Sequence, residues 1–114
     1  MREGLLGLHI LTNIAANGAM PVDKLVPVTP AYYSERAVGV TRMYAAIGAN
    51  QRIDLLVRIH NFLELPRVGR KRVEYVVMDN GEQYRITAAQ KVVDEDAIDL
   101  TLERLEELYD VVTE

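Results

Sequence analysis

Apolar and polar positions alternate with a period of two through most of the chain, the pattern of half-buried β-strands. Leu6, Leu8, Ile10, Thr12 and Ile14 fall on one side and Gly7, His9, Leu11 and Asn13 on the other, which predicts a first strand. Asn17-Gly18 is a turn signal. Val22 to Pro30 holds valines together with Pro27 and Pro30. Proline cannot donate to a ladder, so this piece is expected as an edge strand or an extended connection. Alternation returns with Tyr32, Ser34, Arg36, Val38 and Val40 on one side and Tyr33, Glu35, Ala37 and Gly39 on the other. It breaks at Thr41, whose hydroxyl suits a helix N-cap. Met43 and Ile47 then stand one helical repeat apart, and Gly48 sits where a left-handed C-terminal residue is wanted. A short helix is predicted there. Ile53, Leu55, Val57 and Ile59 restore the period of two. A single short helix between two strands is expected to lie against the open end or seam of a small sheet.

The second half reads as follows. Phe62 to Arg72 is expected to be a loop, punctuated by Pro66 and Gly69. Val73 to Met78 and Glu82 to Ala88 flank Asn80-Gly81, a dipeptide suited to a type I′ hairpin turn. Counting from that turn pairs Met78 with Gln83, Val77 with Tyr84, Val76 with Arg85 and Tyr75 with Ile86. The predicted core face is then Val73, Tyr75, Val77, Tyr84 and Ile86. Asp94-Glu95-Asp96 lacks the alternate spacing and distal glutamate of a calcium loop and reads as a solvated turn. Ile98, Leu100 and Leu102 alternate with Asp99, Thr101 and Glu103, and a strand is expected over Ala97 to about Arg104, although a helix from Asp96 also fits the apolar spacing. The tail from Leu105 to Val112 is left open between a helical turn and extended chain.

The length of 114 residues suits one domain, 1–114, with a modest core. The absence of cysteine excludes disulfides, thiolate metal sites and a cysteine nucleophile. Arg2, the apolar Leu5–Ile14 and Ala16-Asn17-Gly18 have the outline of a signal peptide, but His9, Thr12 and Asn13 interrupt the run. A strand is the reading taken, and no run approaches the roughly 20 apolar residues of a membrane span. The net charge of −4 gives no general reason to expect nucleic-acid binding. Its distribution is more informative: Asp94 to Glu114 carries nine acids against Arg104 alone, whereas residues 1–93 carry twelve bases and eight acids. Arg67, Arg70, Lys71 and Arg72 place four bases within six positions. His9 and His60 lie on different predicted strands, and Ser34 has no nucleophile-elbow context. No glycine-rich phosphate loop is present. The inventory points to a binding or structural role, with no catalytic, metal or cofactor residue expected.

The segments Y-S-E-R-A-V-G-V-T-R-M-Y-A-A, R-I-D-L-L-V-R-I, D-N-G-E-Q-Y-R-I and D-L-T-L-E-R-L-E-E-L-Y-D-V, in that order, resemble the small phage and prophage head–tail joining proteins, the head-closure or stopper components of the neck of long-tailed phages. The similarity runs from about Leu8 to Val111. It implies a small antiparallel β-barrel with one short helix. It also implies a monomer made in the host bacterial cytoplasm that joins a ring below the portal and connector in the virion neck. There it would help retain packaged DNA, with which contact is possible, and offer the tail a platform. In that family, contacts are made mostly by loops and chain ends. Arg67, Arg70, Lys71 and Arg72 of the basic loop and Glu106, Glu107 and Asp110 of the acidic end are the candidates here.

The expectation is therefore a mainly β protein: a small antiparallel β-barrel or strongly bent sheet with one short α-helix between two strands. Its expected role is that of a non-enzymatic neck component without cofactor. The alternatives are a tail-completion or tail-terminator component and, from a different class, a small β-barrel that binds single-stranded nucleic acid.

Overall fold

The structure is a computed structural model, and it describes residues 3–14, 22–36 and 53–112. Nine strands lie within them: β1 (Glu3–Ile14), β2 (Val22–Arg36), β3 (Leu55–His60), β4 (Arg67–Val68), β5 (Lys71–Arg72), β6 (Tyr75–Met78), β7 (Gln83–Lys91), β8 (Ala97–Arg104) and β9 (Asp110–Val111). Seven of them form one sheet in the order β1-β6-β7-β8-β3-β2-β9, and β4 and β5 pair separately. Every pairing is antiparallel except that of β2 with β9. The protein is mainly β, as the alternation implies, and β8 begins and ends where the apolar spacing places it. The predicted helix over Thr41 to Ile47 and the turn at Asn17-Gly18 lie outside the described residues. Among those that are described there is no helix.

The sheet bends so far that β1 pairs β6 on one edge and β2 on the other. Of the two expected architectures, the bent sheet is the one observed, and the closed barrel is corrected. The departure lies along β2. Its edge away from β1 pairs β3 only from Tyr33 to Arg36 and β9 only at Lys24 and Leu25. Between those stretches no described strand covers it. Pro27 pairs His9 and Pro30 pairs Gly7, and a bulge between them leaves Val28 as the extra residue. Their partners stand two residues apart, so both prolines occupy equivalent ladder positions. The His9 carbonyl accepts from the Glu74 N–H on the side away from β2. The proline nitrogens therefore face the uncovered edge, where a missing N–H costs no ladder bond.

One face of the sheet gathers the core: Leu6, Leu8 and Ile10 from β1, Ala31 and Tyr33 from β2, Val57 and Ile59 from β3, Val76 and Met78 from β6, Tyr84 and Ile86 from β7, and Ile98, Leu100 and Leu102 from β8. Each strand contributes at the two-residue interval that alternation predicts. Across β3 and β8, Arg58 stands opposite Asp99, and its Nε and Nη2 donate to the two carboxylate oxygens at 2.8 and 3.2 Å. Arg58 Nη1 also donates to Glu95, so the acidic turn is tied to the neighbouring strand.

The β6–β7 hairpin corrects the predicted register by one residue. Tyr75 pairs Arg85, Val76 pairs Tyr84 and Val77 pairs Gln83. The loop holds three residues, Asp79 to Gly81, and is closed by the Met78 N–H donating to the Glu82 carbonyl at 2.8 Å. Gly81 alone takes a left-handed φ, of 90°. The Asn80 side chain accepts from the Glu82 N–H at 3.0 Å. This is the three-residue turn with a glycine bulge, not the two-residue type I′ turn. A one-residue slip reverses the faces of one strand. Val76 and Met78 consequently join the core in place of Tyr75 and Val77, while Tyr84 and Ile86 keep the predicted side.

Candidate docking surfaces

The expected loop at the basic cluster is a hairpin. Its two short strands bring Arg67 opposite Arg72 and Val68 opposite Lys71, around Gly69-Arg70. Its base is fixed by buried Leu65 and Val73 and by the Val73 N–H donating to the Pro66 carbonyl at 3.1 Å. All four basic residues are exposed. Lys71 Nζ donates to the Leu11 carbonyl at 3.0 Å, which ties the hairpin to the outer edge of β1. Among the described residues, no carboxylate forms an ion pair with any of the four. Like charges directly opposite on a ladder repel, so Arg67 and Arg72 present an uncompensated positive face. Cavities lie on both sides: one of about 210 Å³ is lined by Arg67, Arg72, Lys91 and Glu64 over Leu65 and Ile98. The other, of about 510 Å³, lies between the hairpin and Ile10 and Leu11.

The acidic end is not helical: the chain bends at Glu106 and Glu107 and then forms the short strand Asp110–Val111. Glu106, Glu107 and Asp110 are exposed. After β8 the chain crosses the outer face of the β6–β7 hairpin. β9 then runs along the outer edge of β2, with Asp110 beside Lys24 and Val111 beside Leu25. Leu11 and Leu25 are themselves partners in the β1–β2 ladder. The basic hairpin and the acidic segment therefore flank one two-stranded arm on opposite edges. The structure groups the four basic candidates together and the three acidic ones together, but does not join the two groups.

What holds the acidic segment escaped the sequence reading. The buried Gln83 side chain donates from Nε2 to the Tyr109 carbonyl at 2.8 Å and accepts from the Tyr109 N–H at 2.9 Å. The Leu105 N–H donates to the Gln83 carbonyl, and the Val112 N–H to the Leu25 carbonyl at 2.8 Å. The Tyr109 ring meets Tyr75 edge to face at 5.9 Å between centroids. Burial, with a smaller contribution from Tyr109, raises the Tyr75 pKa above its ordinary value. The register slip accounts for this arrangement in part, since it turns Tyr75 to the outer face, where Gln83 already lay. Beside them His9 is buried, with Nδ1 2.9 Å from the Gly7 carbonyl. A Cβ on Gly7 would lie 2.6 Å from the His9 ring, so the close approach requires glycine. Burial lowers the His9 pKa below 6.5, and the bond to Gly7 opposes it in part.

The two histidines serve different places. His60 Nε2 lies 3.1 Å from Ser34 Oγ across β2 and β3. Among the described residues no carboxylate bonds to the His60 ring, so nothing orients it as the base of a nucleophile. The Arg58 pKa is raised by its hydrogen bonds to Asp99, against the effect of burial. No group of three potential metal-ligating side chains occurs among the described residues. No family model, no curated protein and no solved structure matches the chain.

Proposed function

We propose that the protein is a non-enzymatic docking module that joins head to tail in the virion neck of a long-tailed phage or prophage. In this reading it enters a ring of its own copies on the portal-side connector, closes the channel over packaged DNA and carries the tail. The observation that supports it is the charge arrangement on the arm: a basic hairpin on the β1 edge, with no ion pair among the described residues, and an acidic segment on the β2 edge. Two complementary patches on different edges make a heterologous contact, and such contacts build rings when the rotation closes. The sequence resemblance supplies the identity of the assembly. The test is the triple variant Arg70→Glu, Lys71→Glu, Arg72→Glu. It is expected to keep the far-UV spectrum of the folded chain and to lose assembly onto connector rings. Normal assembly of that variant refutes the charge-paired ring.

A tail-completion role uses the same surface with another neighbour, and pull-down with connector rings against tail tubes separates the two. Single-stranded nucleic acid as ligand would require aromatic platforms beside the bases. The exposed Tyr32 instead lines a different cavity, with Glu3 and His60. Strongly salt-dependent filter binding of an oligonucleotide would favour that reading over the neck.

A further inference from the structure

The groove between the β4–β5 hairpin and the two-stranded arm gathers donors for an anion. The hairpin turns on Gly69, whose φ of 62° suits the first central position of a two-residue type II′ turn. Its base is pinned by the Val73 N–H on the Pro66 carbonyl, so its side chains start from a fixed frame. Arg67 and Arg72, direct partners on the ladder, project on the same face, and Arg70 and Lys71 line the same cavity of about 510 Å³. Like charges so placed repel. Among the described residues nothing accepts from the three guanidinium groups.

The other wall is the edge of β1. β6 ends opposite His9, and no described strand covers this edge beyond it. The Leu11 carbonyl turns into the groove and accepts from Lys71 Nζ at 3.0 Å. In a strand the N–H of a residue points the same way as its carbonyl, and no acceptor among the described residues meets the Leu11 N–H. An open peptide donor beside four cations is a second, independent mark of an anion site. The opposite edge of the arm, along β2, is closed at Lys24 and Leu25 by the strap formed from Leu105 to Val112.

The surplus of donors distinguishes phosphate from an acidic peptide. A peptide brings an N–H with each residue, and each needs an acceptor. In the groove the Leu11 carbonyl is already taken, and Glu74 is the one acid among the lining side chains. A phosphate group brings acceptors alone and matches the planar guanidinium fork. We propose that Arg67, Arg70, Lys71, Arg72 and the Leu11 N–H form a phosphate-binding site. The phosphate is that of a small polyphosphate or of a nucleic-acid backbone, since the chemistry met in the groove is the same. No aromatic side chain lines it, so a nucleobase finds no stacking platform there. The inference goes beyond the neck reading and does not rest on it.

The test is titration of inorganic tripolyphosphate into the full chain, read by calorimetry and by amide NMR. A saturable shift of the Leu11 N–H is expected, with that of Leu100 unmoved. Arg67→Gln combined with Arg72→Gln should weaken binding at least about tenfold, because charge-assisted hydrogen bonds are lost. Leu11→Pro deletes the groove donor and spares the β1–β2 ladder, since that N–H faces away from β2. It should weaken binding about fivefold, while Leu11→Ala, which keeps the donor, binds as the parent does. A short DNA duplex that displaces tripolyphosphate, losing affinity as roughly the third power of salt concentration, supports the site with a nucleic-acid backbone as the source. Tripolyphosphate that a duplex does not displace supports it with a small polyphosphate. Absence of binding, affinity unchanged by the paired arginine variant, or a glutamate peptide of equal charge that binds as tightly overturns the phosphate site.

Discussion

Replacing Gln83 by methionine tests whether the strap is held by polar contacts or merely covered surface. Methionine keeps the length and much of the volume of glutamine, so the buried position stays filled while the two bonds to Tyr109, of 2.8 and 2.9 Å, are lost. Each such bond contributes about 1 kcal/mol net, and an amide left buried without a partner costs about 1–3 kcal/mol. The strap limits the second cost by lifting into water. The expected loss is about 2–3 kcal/mol, which for a domain near this length lowers Tm by about 10 °C. Urea unfolding measures the total, with an unchanged m-value expected. Amide hydrogen exchange locates it: the N–H groups of Tyr109 and Val112, which donate to Gln83 and Leu25, should exchange well before that of Leu100. A loss under about 0.5 kcal/mol with Val112 still protected would show that Gln83 does not hold the strap, because a satisfied buried amide cannot be removed at so little cost.

Three further outcomes follow from other parts of the fold. Gly81→Ala places a Cβ at φ 90° and is expected to cost about 1–2 kcal/mol in urea unfolding, whereas a type I′ turn would make Asn80 the equally sensitive position. Leu100→Ala, at the fully buried centre of β8, should cost about 2–5 kcal/mol by the same measurement. For His9, burial depresses the folded pKa below 6.5, so the unfolded chain binds the proton more readily. Stability should be full above pH 6.5 and fall as the pH drops from there through the folded pKa, and His9→Gln should flatten that part of the profile.

The candidate site divides along the same line as the fold. The basic cluster was plain in the sequence because Arg67, Arg70, Lys71 and Arg72 are close neighbours, and charge density is a local property. That it forms a hairpin braced on Leu11 was not, since Lys71 and Leu11 lie 60 residues apart. Gln83 gave no signal, because one glutamine in a strand reads as surface until its partner, 26 residues away, is known.

Strand positions and the core residues of β1, β3 and β8 followed from the sequence alone, because a period of two is imposed by the geometry of each strand on its own neighbours. Register, closure and the covered outer face belong to the tertiary structure. Asn80-Gly81 suits more than one turn, and the choice of the three-residue loop moved Tyr75 outward to the side on which Gln83 already lay. That single slip set Tyr75 beside Gln83 as the surface on which Tyr109 rests. No local pattern records it, because the free energy that selects it comes from residues brought together only when the chain is folded.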